Sequence, residues 1–225
     1  MPAFTLNDSP IASGYLSLPL RGRPVGGFVV AEPWEERQLQ DGQATLRMEL
    51  DDQVSAWQGT VRLAPHPEGW TVARFVGGAD GLEKPLRPRY YEGIPYRTVL
   101  TDAIREAGER PGKLEVEGVA ARYVRRAMPL ADLLELLTPE GKVWWINERG
   151  EVEVFAPTWD PSGPAYAVEE VDHEAWGVVM DLTLHPGTTL ELYLGGIKGV
   201  KRQVQVERVV HRIAPRRLVT EVWRA

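Results

Sequence analysis

Cysteine is absent from the 225-residue chain, and with it go disulfides, thiol nucleophiles and thiolate metal sites. Long apolar runs are missing too. No stretch approaches the roughly 18 residues needed to cross a bilayer, and no charged-then-apolar leader opens the chain, so a soluble protein made in the cytoplasm is expected. Excess positive charge is likewise lacking: the formal net charge is −6, which argues against a general nucleic-acid binder, whose phosphate contacts need a basic surface. Histidine occurs only four times. His66, His173, His185 and His211 lie in separate segments, two of them in His-Pro turns, and no pair has the i, i+2 or i, i+4 spacing of a metal site. They read as turn or surface residues.

What the chain has in quantity is apolar side chain, at 43% of its residues, enough for one large β domain or two to three small ones. The stretch from Tyr90 to Pro157 organises the rest. In it, Tyr96, Val99, Leu100, Ala103, Ile104 and Ala107 form one helical stripe, with Pro95 as a first helical residue and Gly108 as the left-handed stop. A second helix runs from Leu130 to Thr138, burying Leu130, Leu133, Leu134 and Leu137 before Pro139 and Gly141. Lys113 to Glu117 and Tyr123 to Arg126 read as strands, and Lys142 to Asn147 with Glu151 to Phe155 as a hairpin turning over Glu148-Arg149-Gly150. Consecutive Trp144 and Trp145 must face opposite ways on that strand, one under the helices and one toward a domain interface.

Both flanks read as β. Before the helical stretch, strands are expected at Tyr15–Leu20, Phe28–Ala31, Ala44–Leu50, Val54–Leu63 and Trp70–Val76, with turns at Asp51-Asp52 and Pro65–Gly69. After the turn-rich linker Thr158–Pro164 come Val178–Leu184, the turn His185-Pro186-Gly187, Thr189–Leu194, the loop Gly195–Gly199, a long run Val200–Ile213 with a bulge between Glu207 and Val209, and Leu218–Trp223. The fold class expected is mainly β with an α/β insert: two small β-barrels flanking an α/β domain, divided as residues 1–88, 89–160 and 161–225.

The search for chemistry is negative: no catalytic, cofactor-binding or metal site residue is assigned, and no cofactor is expected. The Val76–Leu82 glycine-rich segment lacks a P-loop ending and a dinucleotide spacing, and reads as a tight turn leaving the barrel. The adjacent acids Glu35-Glu36, Asp51-Asp52 and Glu169-Glu170 face opposite ways on strands or are solvated on turns. Ser9, Ser13, Ser17, Ser55 and Ser162 lie in no nucleophile elbow and have no nearby histidine in sequence. Eight tryptophans leave an aromatic platform for sugars open, but Trp57, Trp70, Trp159, Trp176 and Trp223 are dispersed.

The run Val76-Gly77-Gly78…Gly81-Leu82 to Arg89-Tyr90-Tyr91, the helix Thr98–Gly108, the Leu-rich Pro129–Leu137 and the Val143–Val154 hairpin together resemble the hub proteins of phage tails and related contractile injection machines, of the late-control-D type and the hub part of type VI secretion spikes. Pro186–Leu190, Val206–His211 and Leu218–Val222 extend the resemblance over most of the chain. It departs from the family at Met128-Pro129, where a Ser or Thr cap is usual. The resemblance implies a non-enzymatic structural protein at the tail tip or baseplate of a virion, made in the host cytoplasm. It implies a ring contacting tail tube, distal tail, spike or fibre and tape measure proteins, with DNA only in transit, and the paired barrels and acidic balance make a homotrimer the expected form of that ring. A β-rich carbohydrate-binding or receptor-adhesion module of a tail tip is the alternative. Zymography of the purified protein on cell-wall extract is expected to show no lytic band.

Overall fold

Along Gly42–Leu50 the side chains of Ala44, Leu46 and Met48 are buried while Gln43 and Arg47 face solvent, the period of two that a half-buried strand requires. The same alternation builds a barrel. The computed structural model describes residues 3–159, 163–171, 175–194 and 199–224. Its first six strands are β1 (Ala3–Leu6), β2 (Ser9–Pro19), β3 (Val25–Pro33), β4 (Gly42–Leu50), β5 (Gln53–Pro65) and β6 (Trp70–Gly77). They pair antiparallel in the order β1-β4-β5-β6-β3-β2, and β2 returns to β1 through Thr5↔Pro10 and Leu6↔Ser9. The six strands thus form a closed barrel, which removes their free edges. Trp57, Phe28, Phe75, Leu16, Leu18, Leu46 and Met48 fill it. A Cβ on Gly59 would stand 2.5 Å from the Phe75 ring and 2.3 Å from the Val76 carbonyl oxygen, so only glycine fits there.

Next come β7 (Arg89–Pro95), α1 (Tyr96–Ala107), β8 (Arg110–Leu114), β9 (Val119–Arg125), α2 (Leu130–Leu137), β10 (Val143–Ile146) and β11 (Glu151–Phe155). β10 and β11 form the expected hairpin, to which β8 adds in parallel, while β7 and β9 make a separate two-stranded ribbon. The helices share a core of Leu100, Ile104, Leu130, Leu133 and Leu134 with Trp144, Ile146, Val152 and Val154 of the hairpin. Three expectations are corrected: Pro95 as a first helical residue, Leu137 as buried, and the strand at Lys113–Glu117. Pro95 and Pro129 occupy N-cap positions, with ψ of 137° and 153°, because each is held extended by a β contact, Pro95 to Val119 and Pro129 to Pro85. Leu137 is only half-buried. The strand expected at Lys113–Glu117 lies at Arg110–Leu114, since Gly108, at φ 88°, ends α1 and turns the chain straight into the sheet.

The last strands are β12 (Ala165–Ala167), β13 (Glu170–Val171), β14 (Ala175–Val179), β15 (Thr189–Leu194), β16 (Val200–Ala214) and β17 (Arg217–Arg224). The register slip in β16 falls between Val206 and Arg208, beside the expected bulge. The strand expected at Val178–Leu184 ends at Val179. Met180, Leu182 and Leu184 are buried as a strand would bury them, but the Asp181 carboxylate accepts the Thr183 N–H and hydroxyl and turns the chain. β16 pairs with β17 on one edge, and with β15 and then β2 on the other. In consequence one apolar cluster runs from Phe4 through Trp57 to Val222. Strand accounts for 58% of the described residues, so mainly β is the observed class. Asp160–Ser162 of the linker and Gly195–Lys198 of the loop lie outside the described residues.

Leu134 and Ile104 are completely buried where α1, α2 and the hairpin meet. Leu134→Ala and Ile104→Ala are each expected to cost about 2–5 kcal/mol, read by denaturant unfolding against the parent protein.

Candidate functional site

The hairpin β10–β11 packs on the helical core with one face and on the barrel cluster with the other. Trp144 is buried in the helical core, and its indole N–H donates to Glu135 at 2.8 Å. Trp145, on the opposite face, packs against the barrel cluster with its ring 6.3 Å from Trp57, edge to face. Backbone bonds fix the contact: Gly22 N–H donates to Trp144 O at 2.9 Å, Ile146 N–H to Gly22 O at 2.9 Å, and Gln58 N–H to Glu148 O at 2.8 Å. His185, from the turn before β15, reaches the same place. Its ring lies 6.1 Å from Trp57 and its Nε2 lies 3.8 Å from Glu148. Burial lowers its pKa against the pull of Glu148 and Asp181. An open cleft of about 430 Å³ is lined there by Trp145, Asn147, Glu148, Arg149, Glu153 and His185.

Three buried polar devices lie around this junction. The glycine-rich segment after β6 does bind an anion, but the anion is internal: the buried Glu109 carboxylate accepts Ala79 N–H at 2.8 Å and Gly81 N–H at 2.6 Å. This ties the exit from the barrel to the end of α1. The second device is Arg125, wholly buried on β9, which donates to Arg87 O and pairs with Glu106. Burial pushes the Glu106 carboxyl up, yet the Arg87 N–H and the Arg125 guanidinium hold it below its ordinary value. The third is His211 on β16, fully buried with Nδ1 3.0 Å from the Thr220 hydroxyl. Thr220 in turn accepts the Asp181 N–H, and the Asp181 carboxylate accepts the Tyr166 hydroxyl. Leu182 N–H donates to Gln53 Oε1 at the β4–β5 turn, so the network reaches the barrel.

The residues considered for chemistry remain apart. Glu35 and Glu36 are exposed on the loop after β3, Asp51 and Asp52 are exposed on the β4–β5 turn, and Glu169 is exposed; the side chain of Glu170 is outside the described residues. Ser55 is buried and accepts the Trp57 indole N–H, while Ser9 is buried on β2. His66 accepts the Glu68 N–H in its turn, and His173 and Ser162 lie outside the described residues. Among the described residues no group of His, Asp and Glu could hold a metal ion. The reading of all four histidines as turn or surface residues fails at His211, whose strand carries Val209 and Ile213 inward on the same face. Sequence reasoning also missed Glu109, which has no local signal because its partners lie some thirty residues earlier. Arg125 was missed as well, although period two places it on the face of partly buried Tyr123.

With this geometry in place, comparison with known proteins is informative for fold. No protein-family model and no curated protein matches the chain. Solved structures do. The 43 kDa tail protein of prophage MuSo2 from Shewanella oneidensis superposes with a TM-score of 0.73 at 7% identity, over 100% of this chain and 96% of that one. The E. coli c3393 protein, a component of the type VI secretion system with structural similarity to the T4 tail proteins gp27 and gp5, gives 0.62 at 11% identity, covering 99% and 76%. A tail protein from Neisseria meningitidis MC58 gives 0.59 at 10%, covering 98% and 95%. The chain therefore has the fold of phage tail and type VI secretion proteins. No helix among the described residues is long and apolar enough to cross a membrane.

Burial, with a smaller push from His185 and an opposing pull from Asp181, lowers His211 from its ordinary 6.5 to about 4. Between these values the unfolded chain takes up a proton that the folded chain refuses, so stability rises with pH across that window and levels off above it. His211 should make the fold lose up to about 3 kcal/mol between pH 6.5 and pH 4. Unfolding curves at several pH values check this: in His211→Leu the slope across the window should flatten relative to the parent.

Proposed function

We propose that this protein is a structural hub of a phage tail or related injection machine, forming a ring that joins the tail tube to the spike or tip and lets DNA pass. The carrying observation is the whole-length fold match to the MuSo2 tail protein; two further tail and secretion-system structures support it. The tail and secretion-system structures that the chain resembles support a non-enzymatic role at the tail tip or baseplate. The division proposed is residues 1–88, 89–160 and 161–225. The last part reads as a second barrel, supported by the succession β15–β16–β17–β14–β13 and by β12 pairing back to β15. The middle part reads as the α/β insert, with its own apolar cluster.

Two barrels per chain make a trimer the natural assembly. Three copies present six barrels around one axis, which reconciles a six-fold tube with a three-fold spike. Three chains of net charge −6 carry −18 in all, and such charge along a bore would keep DNA from adhering. The same charge opposes ring closure, so added salt, screening over about 8–10 Å, should promote assembly. Partners on this reading are tail tube, distal tail, spike or fibre and tape measure proteins. Light scattering across a salt and concentration series, with negative-stain imaging, is expected to show a salt-favoured annular trimer. A persistent monomer that is also absent as a ring from intact tails would overturn the hub reading in favour of a carbohydrate-binding or receptor-adhesion module.

A further inference from the structure

The ribbon of β7 and β9 is the part of the fold with least cover. Among the described residues neither strand pairs with anything but the other, and an isolated two-stranded ribbon is marginally stable in water. Its inner face is covered: Tyr91, Val99 and Ala120 cluster there, and Tyr123 stacks near Tyr91 and Tyr96 at 6.4 and 5.9 Å. Its outer face is not. Tyr90 and Val124, directly opposite each other, are 55% and 61% exposed, and Val119 is 57% exposed at the start of β9.

The two edges differ. Proline lies at position 88 just before β7 and at its end, Pro95, and Gly93 sits at φ 64° between; such residues blunt an edge against pairing. The β9 edge has no proline or glycine from Val119 to Arg125. It is an unprotected template with exposed Val119, Ala121, Arg122 and Val124, and Arg126 follows exposed just beyond it. Of these cations Arg122 has only a long 3.5 Å contact with Glu92, at 81% exposure. The ribbon is therefore basic and apolar on the surface of an acidic chain.

We propose that the outer edge of β9 is a docking site for an extended segment of another protein, one that alternates acidic with apolar residues and adds as a third strand. Its acidic side chains fall on the face that carries Arg122, Val124 and Arg126, and its apolar ones on the opposite face, in line with Val119 and Ala121. A second copy of this chain is disfavoured as occupant. The antiparallel register that pairs the whole of β9 with itself, 119 against 125, sets Arg122 directly against its own copy, and like charges directly opposite destabilise a sheet. The inference does not depend on the hub reading.

The test uses the full chain, isotope-labelled, and a capped ten-residue peptide of alternating glutamate and valine, with a lysine–valine peptide as control. The acidic peptide is expected to slow amide exchange along Val119–Arg125, with binding that weakens as salt is added. Arg122→Glu with Val124→Asp, both at exposed positions, should weaken that binding at least ten-fold while leaving thermal unfolding unchanged. The proposal is overturned if β9 amides show no added protection, if the lysine–valine peptide binds equally well, or if β9 becomes protected with rising protein concentration in the absence of peptide.

Discussion

Two adjacent tryptophans on one strand cannot face the same way, and the junction of this protein is built on that constraint. Trp144 anchors the hairpin in the helical core and Trp145 anchors it against the barrel. A strand inserted between two apolar masses needs a large side chain on each face, and consecutive aromatics supply both without lengthening the strand. The backbone bonds from Gly22 and Gln58 then fix the register of the hairpin on the barrel. His185 completes the arrangement from the turn before β15, resting near the same Trp57 ring.

The β architecture around that junction solves its edge problem in one place and leaves it open in another. The first six strands close on themselves, and β16 binds β15 over Val200–Gln205, then β2 on the same edge and β17 on the other over Arg208–Ile213. Sharing β2 between the barrel and β16 explains why a single apolar cluster continues from Phe4 to Val222. Had the flanking parts been joined only by a linker, two separate clusters would be expected. The β7–β9 ribbon has no such neighbour, and its stability rests on α1 and on the buried Arg125–Glu106 pair behind it.

How legible this was depended on the kind of interaction. Elements stabilised by their own periodicity could be read directly: α1 from its stripe and Gly108, the hairpin from Gly150 at φ 68°, and Thr189–Leu194 at the observed bounds. β7 was not read, because Gly93 and Pro95 punctuate it and its pairing partner β9 lies beyond an intervening helix. Val178–Leu184 was read too far, since buried Met180, Leu182 and Leu184 mimic a strand while Asp181 turns the backbone. At the candidate site the split of Trp144 and Trp145 followed from period two alone. Glu109 and His211 did not, because nothing near them in sequence announces the groups they meet.

Those hidden residues share a physical logic. Glu109, Arg125 and His211 are all buried polar groups, costly unless partnered, and each reaches across a boundary between elements distant in sequence. Glu109 holds the barrel exit to the end of α1, Arg125 holds the ribbon to the segment before β7 and to α1, and His211 belongs to a chain through Thr220 and Asp181 that ends at Gln53. Apolar packing tolerates small slides between elements, whereas a carboxylate received by two backbone N–H groups accepts only one alignment. Spending polar groups at boundaries rather than in a cleft therefore fixes relative geometry instead of chemistry.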